Sequence, residues 1–162
     1  MAGTGQRPAD AIATKTVHDW LTAVVAAAQA VPIMPVLEID PDALHFDVAE
    51  VRSLLDAQPG IQLIYDPALL ILRRVQDPVT YWQALRRRIA LVDLHDYQIG
   101  QSFRPIGHGD CGWERVRQEL LKAKDLWLLL EPGLGRLYGS VGTRAQTFAM
   151  AIEALGAFWE GR

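Results

Sequence analysis

The chain has 162 residues, of which half are hydrophobic and 22% are charged, and its net charge is −3; this fits one globular domain and lacks the basic footprint of a nucleic-acid-binding protein. The single cysteine, Cys111, excludes an internal disulfide, and no apolar run reaches the roughly 20 residues of a membrane span. We therefore expect a cytoplasmic protein that binds neither nucleic acids nor membranes.

Helix-like and strand-like segments alternate along most of the chain. Residues 1–15 are rich in Gly, Ala and Thr and predict a flexible leader, which leaves 16–162 as the folded domain. Ala-rich stretches without Gly or Pro favour helices, and short apolar runs favour buried strands. The predicted elements are a helix over 17–30, a strand over 34–39, a helix over 48–58, a strand over 61–66, a helix over 78–88, a strand over 89–94, a Gly-rich loop over 96–111, a helix over 113–124, a strand over 126–131 and a helix over 143–159.

Two of the helix starts carry capping signatures. Asp47, with Glu50 three residues later, makes a capping box before the second helix. Asp77 followed by Pro78 makes an N-cap and first-turn pair before the third helix.

Each of the four predicted strands ends in a carboxylate. These residues are Glu38, Asp66, Asp93 and Glu131. Parallel strands point their carboxyl ends the same way, so all four acids should lie on one rim of the sheet, where α/β folds bind ligands. The pattern predicts a divalent-metal or acid/base site, although any one acid could instead cap a helix or face water.

The strand runs show no polar alternation, which is typical of parallel strands covered by helices. The predicted fold class is therefore α/β, with four parallel strands and about five helices. Four βα units make half of a (β/α)8 TIM barrel, which needs about 250 residues. From the local pattern, both a half barrel and an open sheet remain open.

Five short motifs follow one another along the chain. They are Leu37-Glu38, Asp66-Pro67, IALVDLHD (89–96), PIGHGDCGW (105–113) and LWLLLE ending at Glu131. In this order and spacing they resemble the C-terminal half of the xylose isomerase-like TIM-barrel family, which includes sugar-phosphate isomerases and epimerases and endonuclease IV-type enzymes. The resemblance covers roughly residues 17–160 and implies half of a TIM barrel.

The resemblance also implies a metal site. The family holds its metal with a Glu, an Asp, a His and a Glu, which by position correspond to Glu38, Asp66, Asp93 and Glu131. Asp93 departs from this pattern, because the family usually has histidine there, and Leu69 stands where it often has a substrate-facing histidine. Glu38 and Glu131 would also be the catalytic acid/base pair, and the all-oxygen ligand set favours Mg²⁺ or Mn²⁺ over Zn²⁺.

Three further side chains are weaker candidates for binding the substrate. His95 follows Asp93 by two residues and would lie on the same side of an extended strand, so it could also supply the missing nitrogen ligand. His108 lies in the Gly-rich loop, and Arg136 lies among glycines that could cradle a phosphate. Each has a plainer interpretation as a loop or surface residue.

Two functions are consistent with these residues. The first is a metal-dependent isomerase or epimerase that acts on a sugar or sugar phosphate through an enediolate, after a homodimer or a complementary half-barrel chain completes the barrel. The second is a truncated, catalytically degenerate relative that serves as an interaction or regulatory module. An endonuclease IV-type nuclease is disfavoured, because a multi-zinc site needs nitrogen ligands that the four acids do not supply.

Overall fold

The computed structural model describes residues 8–39, 47–72, 77–123, 125–130 and 144–161, and only the backbone of residues 8–14 and 144. The α-helices are α1 (Pro8–Gln29), α2 (Val48–Ala57), α3 (Pro67–Leu72), α4 (Pro78–Leu85), α5 (Trp113–Leu120) and α6 (Arg144–Glu160), and a single 3₁₀ turn over Arg86–Arg88 follows α4. The strands are β1 (Val36–Leu37), β2 (Gln62–Tyr65), β3 (Ile89–Asp93), β4 (Asp96–Tyr97), β5 (Phe103–Arg104) and β6 (Trp127–Leu129). No helix in this part of the chain is long and apolar enough to cross a bilayer.

Strands β1, β2, β3 and β6 form one parallel sheet in that order. In the described part of the chain, one or two α-helices lie between each of these four strands and the next one in the sheet. The predicted alternation of βα units is therefore confirmed. The strand order also follows the chain order without a reversal, which is the arrangement of half a parallel barrel rather than of a doubly wound sheet.

Three parts of the fold differ from the sequence prediction. α1 begins at Pro8 rather than at residue 17, so residues 8–15, which we expected in the flexible leader, are helical. Proline is well tolerated in a first helical turn, and the alanines that follow it continue the helix. The other two differences are α3 and the antiparallel β4–β5 hairpin inside the Gly-rich loop. Both are too short to leave a periodic pattern in the sequence.

The ends of several elements also differ. β1 and β6 are shorter than the predicted runs 34–39 and 126–131, of which residue 131 lies outside the described residues. α5 ends at Leu120, before the predicted end at residue 124. The predicted capping box is confirmed: the Glu50 amide donates to Asp47 Oδ1 at 2.9 Å, and the Asp47 amide donates to Glu50 Oε2 at 3.0 Å.

One face of the sheet, which we call the outer face, packs against the helices and forms the core. Tyr65 and Val92 on this face have no exposed surface. Edge-on contacts join the Tyr65 ring to Trp82 and Trp113, at centroid distances of 5.2 and 6.1 Å. The Tyr65 hydroxyl donates a hydrogen bond to the Pro78 carbonyl at 3.0 Å, and burial raises its pKa, so the buried hydroxyl stays neutral.

The opposite face, which we call the inner face, carries the alternate side chains of the same strands. It comprises Val36, Gln62, Ile64, Leu91, Trp127 and Leu129. All six are half-buried or exposed, and Trp127 is 74% exposed. Because parallel sheets are normally covered on both faces, the inner face is a largely apolar surface that the described part of the chain leaves open.

The N-cap of α4 provides a test of the fold's local stability. Asp77 Oδ2 accepts hydrogen bonds from Thr80 Oγ1 at 2.7 Å and from the Thr80 amide at 3.0 Å. The Thr80 side-chain hydrogen bond is the main cause that lowers the pKa of the Asp77 carboxyl below its unperturbed 3.8. We expect Asp77→Ala to lower the free energy of unfolding by about 1 kcal/mol at pH 7, measured by urea denaturation.

The sign of the pH dependence follows from the lowered pKa. The cap is fully effective above pH 3.8 and is lost as the pH falls through the lower folded-state pKa, so wild type and Asp77→Ala should converge in acid. Gln83→Ala, at an exposed position of the same helix, is the control and should stay within about 0.5 kcal/mol of wild type. A difference that persists at the lowest pH would contradict the role of the carboxylate as the cap.

Candidate metal site

Three of the predicted strand-end acids meet at one rim of the sheet. Glu38, Asp66 and Asp93 each offer an oxygen, and these oxygens all lie within 4.8 Å of one another. Asp66 directly follows β2, Asp93 is the last residue of β3, and Glu38 directly follows β1. Alternation along each strand places all three on the side of the inner face, so the sheet register itself assembles the cluster.

The three acids differ in exposure. Asp93 is buried, with 4% of its surface exposed, Asp66 is nearly so, and Glu38 is exposed. The cluster therefore has a buried base and an open side. Glu38 is the member that a molecule arriving from solvent would reach first.

Asp66 takes part in two hydrogen bonds that both end on the same oxygen. Its Oδ1 accepts from the Leu69 amide at 3.0 Å and from His95 Nε2 at 2.9 Å. The first bond places Asp66 at the start of α3, whose first residue is Pro67. The Leu69 position, where the resemblance led us to note a missing histidine, thus contacts the site through its backbone.

His95 lies beside the acidic cluster and contacts Asp66, a partner that the sequence did not indicate. Its side chain is 4% exposed, and its ring lies 5.2 Å from that of Phe103. Nε2 donates to Asp66 and so is not available to a metal, while burial disfavours direct contact with a substrate. The Asp-x-His spacing predicted that His95 lies on the same side of the strand as Asp93. Only the pairing of β2 with β3 shows that His95 bonds to Asp66.

Asp96 organises the loop beside the site. It is buried, and its Oδ1 accepts from the amides of Tyr97 at 2.8 Å and Cys111 at 3.0 Å. These hydrogen bonds give the Gly-rich segment a defined conformation and hold its end at Cys111 next to the residues that follow β3. Burial raises the pKa of the Cys111 thiol, so this cysteine stays protonated and is no nucleophile.

The remaining predicted site residues do not join the described cluster. Glu131 and Arg136 lie outside the described residues. His108 is exposed and lines a cleft with Met150 and Glu153 of α6, and none of the three clustered acids lines this cleft. Its proposed contact with a substrate stays a prediction.

The donor set of the cluster fits a hard divalent cation. Mg²⁺, Mn²⁺ and Ca²⁺ prefer carboxylate oxygens at about 2.1–2.6 Å, which places opposite ligands about 4.2–5.2 Å apart. The three candidate oxygens lie within 4.8 Å of one another, which is close enough for one such ion to reach all three. Glu38, Asp66 and Asp93 could therefore hold a metal ion, with the exposed side of the cluster open to further ligands.

The comparisons with known proteins concern the fold. No protein-family model and no curated protein sequence matches the chain. The crystal structure of a xylose isomerase domain protein from Planctomyces limnophilus superimposes on 99% of the chain with a TM-score of 0.66, at 17% sequence identity. The chain has a xylose isomerase-like fold. It spans only 56% of the length of that protein, so the partial α/β barrel predicted from the sequence is confirmed.

Gly109 provides a test of the loop that borders the site. A Cβ at this position would lie 2.4 Å from Asp96 Oδ1 and 2.6 Å from the Tyr97 carbonyl oxygen, both of which are engaged in hydrogen bonds. We expect Gly109→Ala to destabilise the protein by about 1–3 kcal/mol in urea denaturation. In contrast, Gly156→Ala in α6 meets no atom within 4 Å and should be neutral or stabilising by up to about 1 kcal/mol. Equal stability of the two variants would contradict the packing of this loop.

Proposed function

We propose that the chain is the C-terminal half of a metal-dependent isomerase or epimerase that acts on a sugar or sugar phosphate. The convergence of Glu38, Asp66 and Asp93 on one rim carries the proposal. The xylose isomerase-like fold supports it. The all-oxygen donor set favours Mg²⁺ or Mn²⁺ over Zn²⁺.

The exposure of the acids suggests how the work is divided. A bound divalent ion would lower the energy of the negative charge that develops on the substrate oxygens. Asp66 and Asp93, whose side chains are largely buried, would anchor that ion, and Glu38 would complete the ligand set. The Glu38 carboxylate, which is exposed, would take a proton from the carbon next to the carbonyl; the C–H electron pair then forms the enediolate double bond, and the carbonyl electrons move to oxygen. Glu131 is the predicted partner that returns a proton on the other side.

The exposed apolar inner face supports the proposal that a second half-barrel covers it. A second copy or a complementary half-barrel chain would cover this face and pair with the edges of β1 and β6 that have no neighbour in the described sheet. In the described part of the chain, helices occupy five positions around the four parallel strands, because α1 precedes β1, α6 follows β6 and each of the three connections contains at least one helix. In a closed homodimer, α1 of one copy and α6 of the other would compete for the same strand junction. The helix count therefore favours a complementary half with four strands and three helices.

Metal binding tests the proposed site directly. Isothermal titration with Mn²⁺ should show binding to the wild-type chain, and Glu38→Gln, Asp66→Asn and Asp93→Asn should each weaken it by more than about tenfold because each removes a ligand. Glu153→Gln and Asp56→Asn change exposed acids elsewhere and serve as matched controls. Absence of binding, or binding that the three site variants leave unchanged, would contradict the proposal.

The state of association tests the second half. If two copies of the chain do not close a barrel together, light scattering should give the mass of the 18.0 kDa monomer. The apolar inner face should then bind the dye ANS. Trp127→Lys should reduce ANS fluorescence, whereas Leu121→Lys, an exposed apolar position outside the inner face, should not. A discrete dimer that Trp127→Lys dissociates would instead assign the second half to another copy of the chain.

The second candidate function is that of a catalytically degenerate relative that acts as an interaction module. Asp93 and Leu69, which stand where the resemblance leads us to expect histidines, favour it. The two candidates differ in the Mn²⁺ titration, since a degenerate relative has no requirement to bind a cation at this rim.

A further inference from the structure

The hydrogen bond between His95 and Asp66 joins two residues that are 29 positions apart and nearly inaccessible. The side chains are 4% and 7% exposed, and the Nε2–Oδ1 distance is 2.9 Å. A hydrogen bond between buried groups, one of them a carboxylate, is stronger than one in water. The pair therefore constrains the orientation of both side chains.

His95 is itself held from three directions. Trp113 Nε1 donates to the His95 carbonyl at 2.8 Å, and the Phe103 ring packs against the imidazole at 5.2 Å. The next residue, Asp96, fixes the backbone through its bonds to the amides of Tyr97 and Cys111. The imidazole is thus a rigid donor anchored on α5 and on the loop after β3.

We propose that His95 is a positioning residue that orients the Asp66 carboxylate for cation binding; this inference rests on the proposed function. With donors from His95 and the Leu69 amide both on Oδ1, the carboxylate cannot rotate freely, and Oδ2 is the oxygen presented to the cation. This role differs from the substrate contact and the nitrogen ligand that the sequence suggested. Groups that hold a ligating side chain in this way typically affect metal affinity by about 10–100-fold.

Two substitutions at the same position separate this role from simple packing. His95→Leu fills a similar volume without a donor, whereas His95→Gln retains an N–H group at a similar reach. We expect His95→Leu to raise the Kd for Mn²⁺ by about 10–100-fold in isothermal titration and His95→Gln to restore most of the affinity. His108→Leu removes an exposed histidine that lies away from the cluster and should leave the Kd unchanged.

A second route avoids dependence on the stability of the His95 variants. Trp113→Phe keeps an aromatic ring in the core but removes the hydrogen bond to the His95 carbonyl, so it should also weaken Mn²⁺ binding, by less than His95→Leu. Thermal unfolding of each variant establishes that the titrated protein is folded.

The outcomes distinguish this inference from the proposed function. Wild-type chain that binds no Mn²⁺ would contradict the proposed function and the positioning role together. Wild-type binding with an unchanged Kd in His95→Leu would overturn the positioning role alone. Equal losses of affinity in His95→Leu and His95→Gln, matched by equal losses of thermal stability, would also overturn it, because packing alone would then account for the effect.

Discussion

The parallel register of β1, β2 and β3 is the constraint that places Glu38, Asp66 and Asp93 together at one rim of the sheet. Val36 pairs with Gln62, and Ile64 pairs with Leu91, so the residues two positions further along each strand project on the same side. A slip of one residue would turn a carboxylate towards the helices, where an uncompensated charge costs several kcal/mol. The apolar residues that fix the register of the core therefore also fix the geometry of the acidic cluster.

The two faces of the sheet differ in how far they are buried. On the outer face, Tyr65 and Val92 are fully buried under helices, which supplies the stability of this part of the chain. On the inner face, Trp127 and Leu129 are exposed, although both are apolar. The candidate site lies where the two conditions meet, because the side chains of Asp66 and Asp93 are largely buried while Glu38 is exposed.

Much of this architecture follows from local sequence signals, and the remainder depends on contacts that those signals do not encode. The βα order, the capping box at Asp47 and the acids at the strand ends could be predicted, because apolar runs and caps are local features. The start of α1 at Pro8 could not, since the residues before position 17 carry no stop or start signal strong enough to separate helix from leader. The bond from His95 to Asp66 could not either, because it spans 29 residues and depends on the sheet register.

The replacement of the expected histidine by Asp93 has a physical consequence for the cluster. Three carboxylates within 4.8 Å repel one another, and burial of Asp93 increases the repulsion by removing solvent screening. The donor from His95 offsets part of this cost at Asp66, but a divalent cation would offset far more because it faces all three charges at once. A nitrogen ligand would have suited zinc, whereas a third oxygen suits Mg²⁺ or Mn²⁺. In the proposed site, Asp93 thus alters which cation fits more than whether a cation can bind.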